Sequence, residues 1–371
     1  MAEISLTSRI SSKQAWLDDG SLTVYGTPEG ADALAIAEAA RARNGLVVHV
    51  ARDAARAAAT AAAISVFAGD IPTLTFPAWD CLPYDRVSPS NDVSAQRMAV
   101  LSALQARNTD APMIVVTSVN AITLSTPPAE IIRKAAFSAK PGATVDGDEL
   151  VSHLLANGYA RTSTVREPGE FAVRGGLVDI FPPGTKEPLR LDFFGDTLES
   201  IRAFDAETQR TTAQRQAINL TAASEILLTD EAIRQFRQKF RMSFGVVTDN
   251  PLYEAVAAGR KHAGMEHWLS FFYDTPGSFF DFAEDGIFFL DHLVTEAADE
   301  RFEQVTDYYE ARQEDAGDKK ASFRTEPYYP APPDSMYLSR NALEAKIASH
   351  PSRQLTPFAP PEQTRAFDFG A

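Results

Sequence analysis

A single cysteine, Cys81, leaves this 371-residue chain no partner for an internal disulfide, so no disulfide framework holds it together. Long apolar runs are missing too. The stretches Met113 to Val116 and Ile287 to Leu290 fall far short of the roughly twenty residues needed to span a bilayer. The opening sequence MAEISLTSRISSKQAW has neither the basic start nor the continuous apolar core of a secretion signal. These absences predict a cytoplasmic protein with no membrane segment. Positive charge is scarce: 35 Lys and Arg face 50 Asp and Glu, a net charge of −15 with a pI near 4.9. Such a chain repels a phosphate backbone, which argues against strong DNA binding by the chain alone and favours a protein partner. A local basic patch is compatible with that balance. What is present, 44% hydrophobic and 23% charged residues, suffices for two or three domains with their own cores.

The first third alternates strand and helix patterns. Strands are predicted at Ser21 to Val24, Leu46 to Val50, Thr73 to Phe76 and Met113 to Thr117. Between them lie Ala-rich helices over Ala31 to Arg43 and Asp53 to Phe67, and a helix capped by Asn91 or Asp92 in which Met98, Leu101 and Leu104 share a face. This alternation predicts a parallel sheet covered by helices. The pattern breaks at STPPAE, and residues 136–222 are mostly extended apart from one helix near Asp148 to Asn157. Helix resumes at Thr229 and Asp230, where Ile233, Phe236 and Phe240 form an apolar stripe and Gly245 ends it. The division read from this is an α/β domain in two parts, 1–135 and 223–350, carrying a small strand-rich domain inserted at 136–222. Residues 312–333 read as an irregular connection, and 351–371 as a linker or the start of a following domain.

Candidate chemistry is sparse. The loop Gly26-Thr-Pro-Glu-Gly30 lies between a strand and a helix, where a phosphate-binding loop would be, but Ala31 and Asp32 stand where lysine and Ser/Thr are required. Glu29 and Asp32 would repel phosphates, so the loop reads as a degenerate turn and no nucleotide cofactor is expected. His262 and His267 bracket Glu266 at a spacing of five, not the four of a zinc-protease helix, so no metal is expected. Cys81, with no histidine near it in sequence, reads as packed rather than nucleophilic. The stretch FPAWDCLPYDRVSPSND carries Trp79 and Tyr84 but only Arg86 for charge, so it reads as a packed loop before a nucleic-acid stacking platform.

The richest segment is Arg166 to Arg210. Alternation places Leu189, Leu191 and Phe193 on one face of a strand and Arg190, Asp192 and Phe194 on the other. On the preceding strand Phe171 and Val173 face inward, with Ala172 and Arg174 outward. Outward Arg174, Arg190 and Phe194 have the composition of a protein-binding hot spot. The plainer reading pairs Arg190 with a carboxylate and covers Phe194 with Ile201 to Phe204.

GEFAVRGGLVDIFPPG followed by PLRLDFFGD and SIRAFDAETQRT closely resembles the N-terminal region of the bacterial transcription-repair coupling factors, and the upstream PAWDCLPYDRVSPSNDVSAQRMAVLSAL fits in order. The likeness spans residues from about 10 to about 350. It implies a degenerate helicase-like, P-loop NTPase-type α/β domain similar to the front of UvrB, split by an α+β domain that binds UvrA, the damage-recognition subunit of nucleotide excision repair. Carried over by motif, the UvrA-contacting positions are Arg174 in FAVRG and Arg190 and Phe194 in PLRLDFFGD. Two departures from UvrB stand out: the missing lysine, and a turn between Tyr84 and Asp92 too short for an aromatic DNA-probing hairpin. The motor of a full coupling factor is also unmatched, so the chain reads as an N-terminal fragment or a truncated member. The resemblance implies a non-enzymatic adaptor with UvrA and other domains of its parent as partners, the UvrA face being masked by a distant domain in the parent. The alternatives are a nucleotide-dependent nucleic-acid enzyme with a weak ATP site, or a module chiefly contacting its parent.

Overall fold

The computed structural model describes residues 14–17, 20–245, 249–317, 328–361 and 364–370. The alternating segments build a seven-stranded, all-parallel sheet. Its strands are β1 (Ser21–Tyr25), β2 (Leu46–Ala51), β3 (Thr73–Phe76), β4 (Met113–Ser118), β13 (Ile287–Leu290), β14 (Ser352–Thr356) and β15 (Ala366–Asp368), in the spatial order β15-β1-β14-β13-β2-β4-β3. Helices cover both faces, so β2 is buried along its whole length, as a central parallel strand must be. Alternation along β2 then feeds two cores. Leu46, Val48 and Val50 pack with Phe76, Met98, Leu101 and Phe288, whereas Val47 packs with Ile36, Ile64, Ile114 and Phe289.

The helices between these strands are α1 (Ala31–Arg43), α2 (Ala54–Phe67) and α3 (Asn91–Ala106). Asp53 caps α2 by accepting from the Arg56 amide. The cap of α3 is Ser90, which accepts from Val93, so Asn91 and Asp92 lie inside the helix instead of capping it. Two strands of the segment read as a linker from 351 belong to the sheet: β14 inserts between β1 and β13, and β15 pairs with β1 on its other side. SRQLT and AFD hold too few apolar residues to show an alternation.

The chain leaves this sheet after β4 and builds a second one. β5 (Phe137–Ala139) on entry pairs antiparallel with β12 (Ile218–Leu220) on exit, closing the base of the inserted unit. Between them come α4 (Gly147–Ala156) and a six-stranded sheet of β6 (Ala160–Arg161), β7 (Glu170–Arg174), β8 (Leu177–Ile180), β9 (Leu189–Phe194), β10 (Thr197–Phe204) and β11 (Thr211–Arg215), antiparallel except for β6 with β7. Leu150 and Leu154 of α4 close one face over Phe171, Ile180, Leu191 and Ile201. The return segment contains α5 (Asp230–Phe244), capped by Thr229 and ended by Gly245, whose positive φ (76°) suits glycine. Its Phe236 and Phe240 join Tyr84, Trp268 and Phe272 in a third core. The helix α6 (Val294–Gly317) runs into the stretch expected to be irregular from 312, and residues 318–327 of that stretch lie outside the described residues. α7 (Arg340–Ala348) precedes β14.

A buried ion pair ties the two units together. Arg97 of α3 donates from Nε and Nη2 to the two oxygens of Glu225 at 2.8 and 3.2 Å, and Trp79 Nε1 donates to the same carboxylate at 2.7 Å. Arg97 also donates to the Pro77 carbonyl and lies over the Phe76 ring. Glu225 sits five residues past β12, at the exit from the inserted unit. Gly184 reinforces the contact: a Cβ there would meet that of Ala99 on α3 at 2.6 Å.

Two buried histidines give the fold a pH dependence. Burial pushes His267 and His49 down to about 4 from an ordinary 6.5. Both are therefore neutral in the fold, while the unfolded chain takes up their protons below about pH 6.5. Their contribution is complete above that pH and is lost as pH falls toward 4. Urea midpoints measured from pH 7.5 to pH 5 should drop below pH 6.5, with a limiting slope of roughly 1.4 kcal/mol per pH unit for each histidine. A flat profile over this range would mean that the two rings titrate in the fold as they do in the unfolded chain.

Candidate partner-binding site

The antiparallel sheet of the inserted unit presents a polar face opposite the α4 core. Two hairpins end side by side on it. Arg174 and Leu177 pair across the turn Gly175-Gly176, and Phe194 and Thr197 across Gly195-Asp196. Gly175 and Gly195 take positive φ (59° and 57°), the conformation such two-residue turns require. Gly176 is needed for a different reason: a Cβ there would lie 2.8 Å from the Phe193 carbonyl oxygen.

Arg174 and Phe194 thus stand at adjacent hairpin tips. Phe194 is 78% exposed, so Ile201 to Phe204 do not cover it; Ile201 and Phe204 are themselves fully buried. Arg174 is exposed and donates from Nη2 to the Ser163 carbonyl and to Thr164 Oγ1. Arg190 lies about 13 Å back along β9 and is half-buried. It donates from Nε and Nη2 to Asp179 Oδ1 and Oδ2 at 2.7 and 2.9 Å, across the β8–β9 pairing, and its guanidinium lies over the Phe204 ring. The plainer sequence reading, a carboxylate partner for Arg190, therefore holds beside its place on the outward face.

Ala172 departs from the expectation. It is buried with Val165, Phe181 and Phe204 in a small cluster, because the loop ahead of β7 and the end of β10 fold over that end of the face. Two further residues of the face, Asp179 and Arg202, carried no signal in isolation. Asp179 pairs with Arg190, Arg202 stands directly opposite Arg190 in the β9–β10 register, and Arg202 Nη2 donates to Asp192 at 2.7 Å. Adjacent arginines repel; the two aspartates offset that repulsion.

The loop before α1 has its own anion. Asp32 Oδ1 accepts from the Gly30 and Ala33 amides at 2.9 and 2.7 Å, so a side chain occupies the helix N-terminus where a phosphate would bind. Asp32 also pairs with buried Arg56, which reaches Asp291, while Arg52 bridges Asp291 and Glu29. Cys81, without a histidine near it in sequence, has one in space: its Sγ lies 3.9 Å from His267 Nε2. Burial and nearby carboxylates push the thiol up to about 12, so no thiolate forms. Tyr84 is buried in the third core and Trp79 is engaged by Glu225, so both aromatics are packed, although Asp80 and Leu82 between them are exposed. Among the described residues no cluster of three or more His, Cys, Asp or Glu could hold a metal ion, and no helix is long and apolar enough to cross a membrane.

A family model for the UvrB interaction domain matches residues 137–226. The chain is 31% identical over 325 residues to the transcription-repair-coupling factor of Haemophilus influenzae, covering 87% of this chain and 27% of that protein. It is 32% identical over 323 residues to the same factor of Escherichia coli, covering 86% and 27%. With that of Myxococcus xanthus it shares 35% over 290 residues, covering 72% and 24%. The chain spans about a quarter of the length of these curated relatives.

Proposed function

This chain is a homologue of the transcription-repair-coupling factors that carries a UvrB interaction domain, and on that premise we propose that it is a non-catalytic adaptor module, from the N-terminal part of such a factor, that recruits UvrA. The exposed ring of Phe194 beside Arg174, on the polar face of the matched domain, is the observation that carries this reading. Arg174 and Arg190 supply charge-assisted hydrogen bonds and Phe194 the central apolar contact. The two-part α/β body, divided as 1–135 and 223–350, is the carrier, with its sheet completed by β14 and β15. Calorimetric titration of the chain into purified UvrA tests the proposal. Saturable binding supports it; no heat at micromolar concentrations of both proteins refutes it.

The non-catalytic part of the proposal rests on the carboxylate of Asp32 in the phosphate position and on the absent lysine. Binding of a nucleotide triphosphate would have to displace a buried Asp32–Arg56 pair. Millimolar Mg-ATP should therefore leave the melting temperature unchanged. A rise of several degrees would instead support a nucleotide-dependent enzyme, since any ligand of the native state alone raises it.

A further inference from the structure

A guanidinium has two edges able to grip a planar acceptor with two parallel hydrogen bonds, Nε with one Nη, and Nη1 with Nη2. In Arg190 the first edge is taken by Asp179, whose carboxylate is itself buried on β8. The Phe204 ring lies against the flat of the guanidinium, 4.7 Å from its carbon to the ring centroid. One contact sets the rotation of the fork in its plane and the other sets the plane. Among the described residues none accepts from Nη1, and Nη1 is not among the enclosed polar atoms. The second edge is left presented at the polar face.

Asp179 also removes the net charge of Arg190, so long-range attraction is not what this arrangement supplies. What it supplies is orientation, which reduces the side-chain entropy lost when a partner binds. Arg174 differs: it is exposed, and its partners among the described residues are a carbonyl and a hydroxyl, with no carboxylate.

We propose that Asp179 and Phe204 are positioning residues for partner recognition, holding Arg190 so that its Nη1–Nη2 edge meets a single carboxylate of the partner in plane. This rests on the reading of the face as the UvrA-binding surface. The experiment is calorimetry against purified UvrA with wild type, Arg190→Ala, Asp179→Asn, Arg190→Lys and the Asp179→Asn/Arg190→Ala double variant, each with a thermal melt. Arg190→Ala is expected to weaken binding about 30-fold and Asp179→Asn about tenfold. The double variant should bind no more weakly than Arg190→Ala, because Asp179 acts through Arg190 alone. Arg190→Lys keeps a cation for Asp179, and so keeps the fold, but has no planar edge; it should bind as weakly as Arg190→Ala.

Wild-type affinity in Arg190→Ala removes Arg190 from the recruiting face and this inference with it. Loss in Arg190→Ala with full affinity in Asp179→Asn or in Arg190→Lys overturns the positioning role and leaves recruitment standing. A double variant weaker than Arg190→Ala by the full Asp179→Asn factor overturns it as well, since Asp179 would then act by another route. If Asp179→Asn fails to fold, Arg190→Lys decides.

Discussion

Phe194→Ala should weaken the proposed complex with UvrA by about 30-fold or more, while the melting temperature of the free chain stays where it is. The two halves of that expectation have one cause. Phe194 is 78% exposed at a hairpin tip, so the fold gains almost nothing from burying it and loses almost nothing when it is cut back. A ring displayed in this way removes on the order of 150 Å² or more from water when a partner covers it, and a central aromatic anchor typically accounts for about 2 kcal/mol or more of binding. Phe194→Leu should retain part of the affinity, because the contact is apolar and carries no hydrogen bond. Calorimetry and a thermal melt on the same samples check both halves. Unchanged affinity in Phe194→Ala would sink the hot-spot role of this residue; a lowered melting temperature would show that the ring packs on the fold.

Arg97→Met has the opposite signature, a large loss of stability at a site far from the polar face. The guanidinium is fully buried and takes both oxygens of Glu225. Methionine keeps the aliphatic stem over Phe76 but leaves Glu225 enclosed with Trp79 Nε1 as its remaining side-chain donor among the described residues. Removing one partner of a buried pair costs about 3–5 kcal/mol, mostly the uncompensated charge left behind. Urea denaturation should show a loss of that size. Pairing the change with Glu225→Leu should restore much of it, since an apolar pair needs no charge compensation. A loss under 1 kcal/mol in Arg97→Met would mean that the Glu225 carboxylate is solvated at little cost. Because Glu225 lies on the exit from the inserted unit, UvrA affinity of the double variant also reports whether this pair sets the orientation of the proposed recruiting face.

Much of the candidate site was legible one strand at a time. Period-two alternation along β7 and β9 put Arg174, Arg190 and Phe194 on one face, and two of the three are exposed there. Alternation says nothing about the ends of a face, which is why Ala172 was misplaced: the cover over it comes from Val165 and Phe204, on other segments. Asp179 was equally hidden. VDIFPPG reads as an apolar strand with one acid, and the acid gains its meaning only when β8 pairs with β9 in the register that sets Asp179 against Arg190.

By itself the sequence determined the succession of strands and helices, the insertion of a strand-rich unit into an α/β body, the outward side of β7 and β9, and a phosphate loop without its lysine. Each of these is a matter of residues close together in the chain, where periodicity and turn chemistry act directly. Only the tertiary structure decided that β14 and β15 complete the sheet, that Glu225 meets Arg97 across 128 positions, that Asp32 fills the vacant anion site with Arg56 behind it, and that Asp179 and Phe204 hold Arg190. These are choices of neighbour, set by which strands and helices come to lie side by side, and no local pattern of residues encodes them.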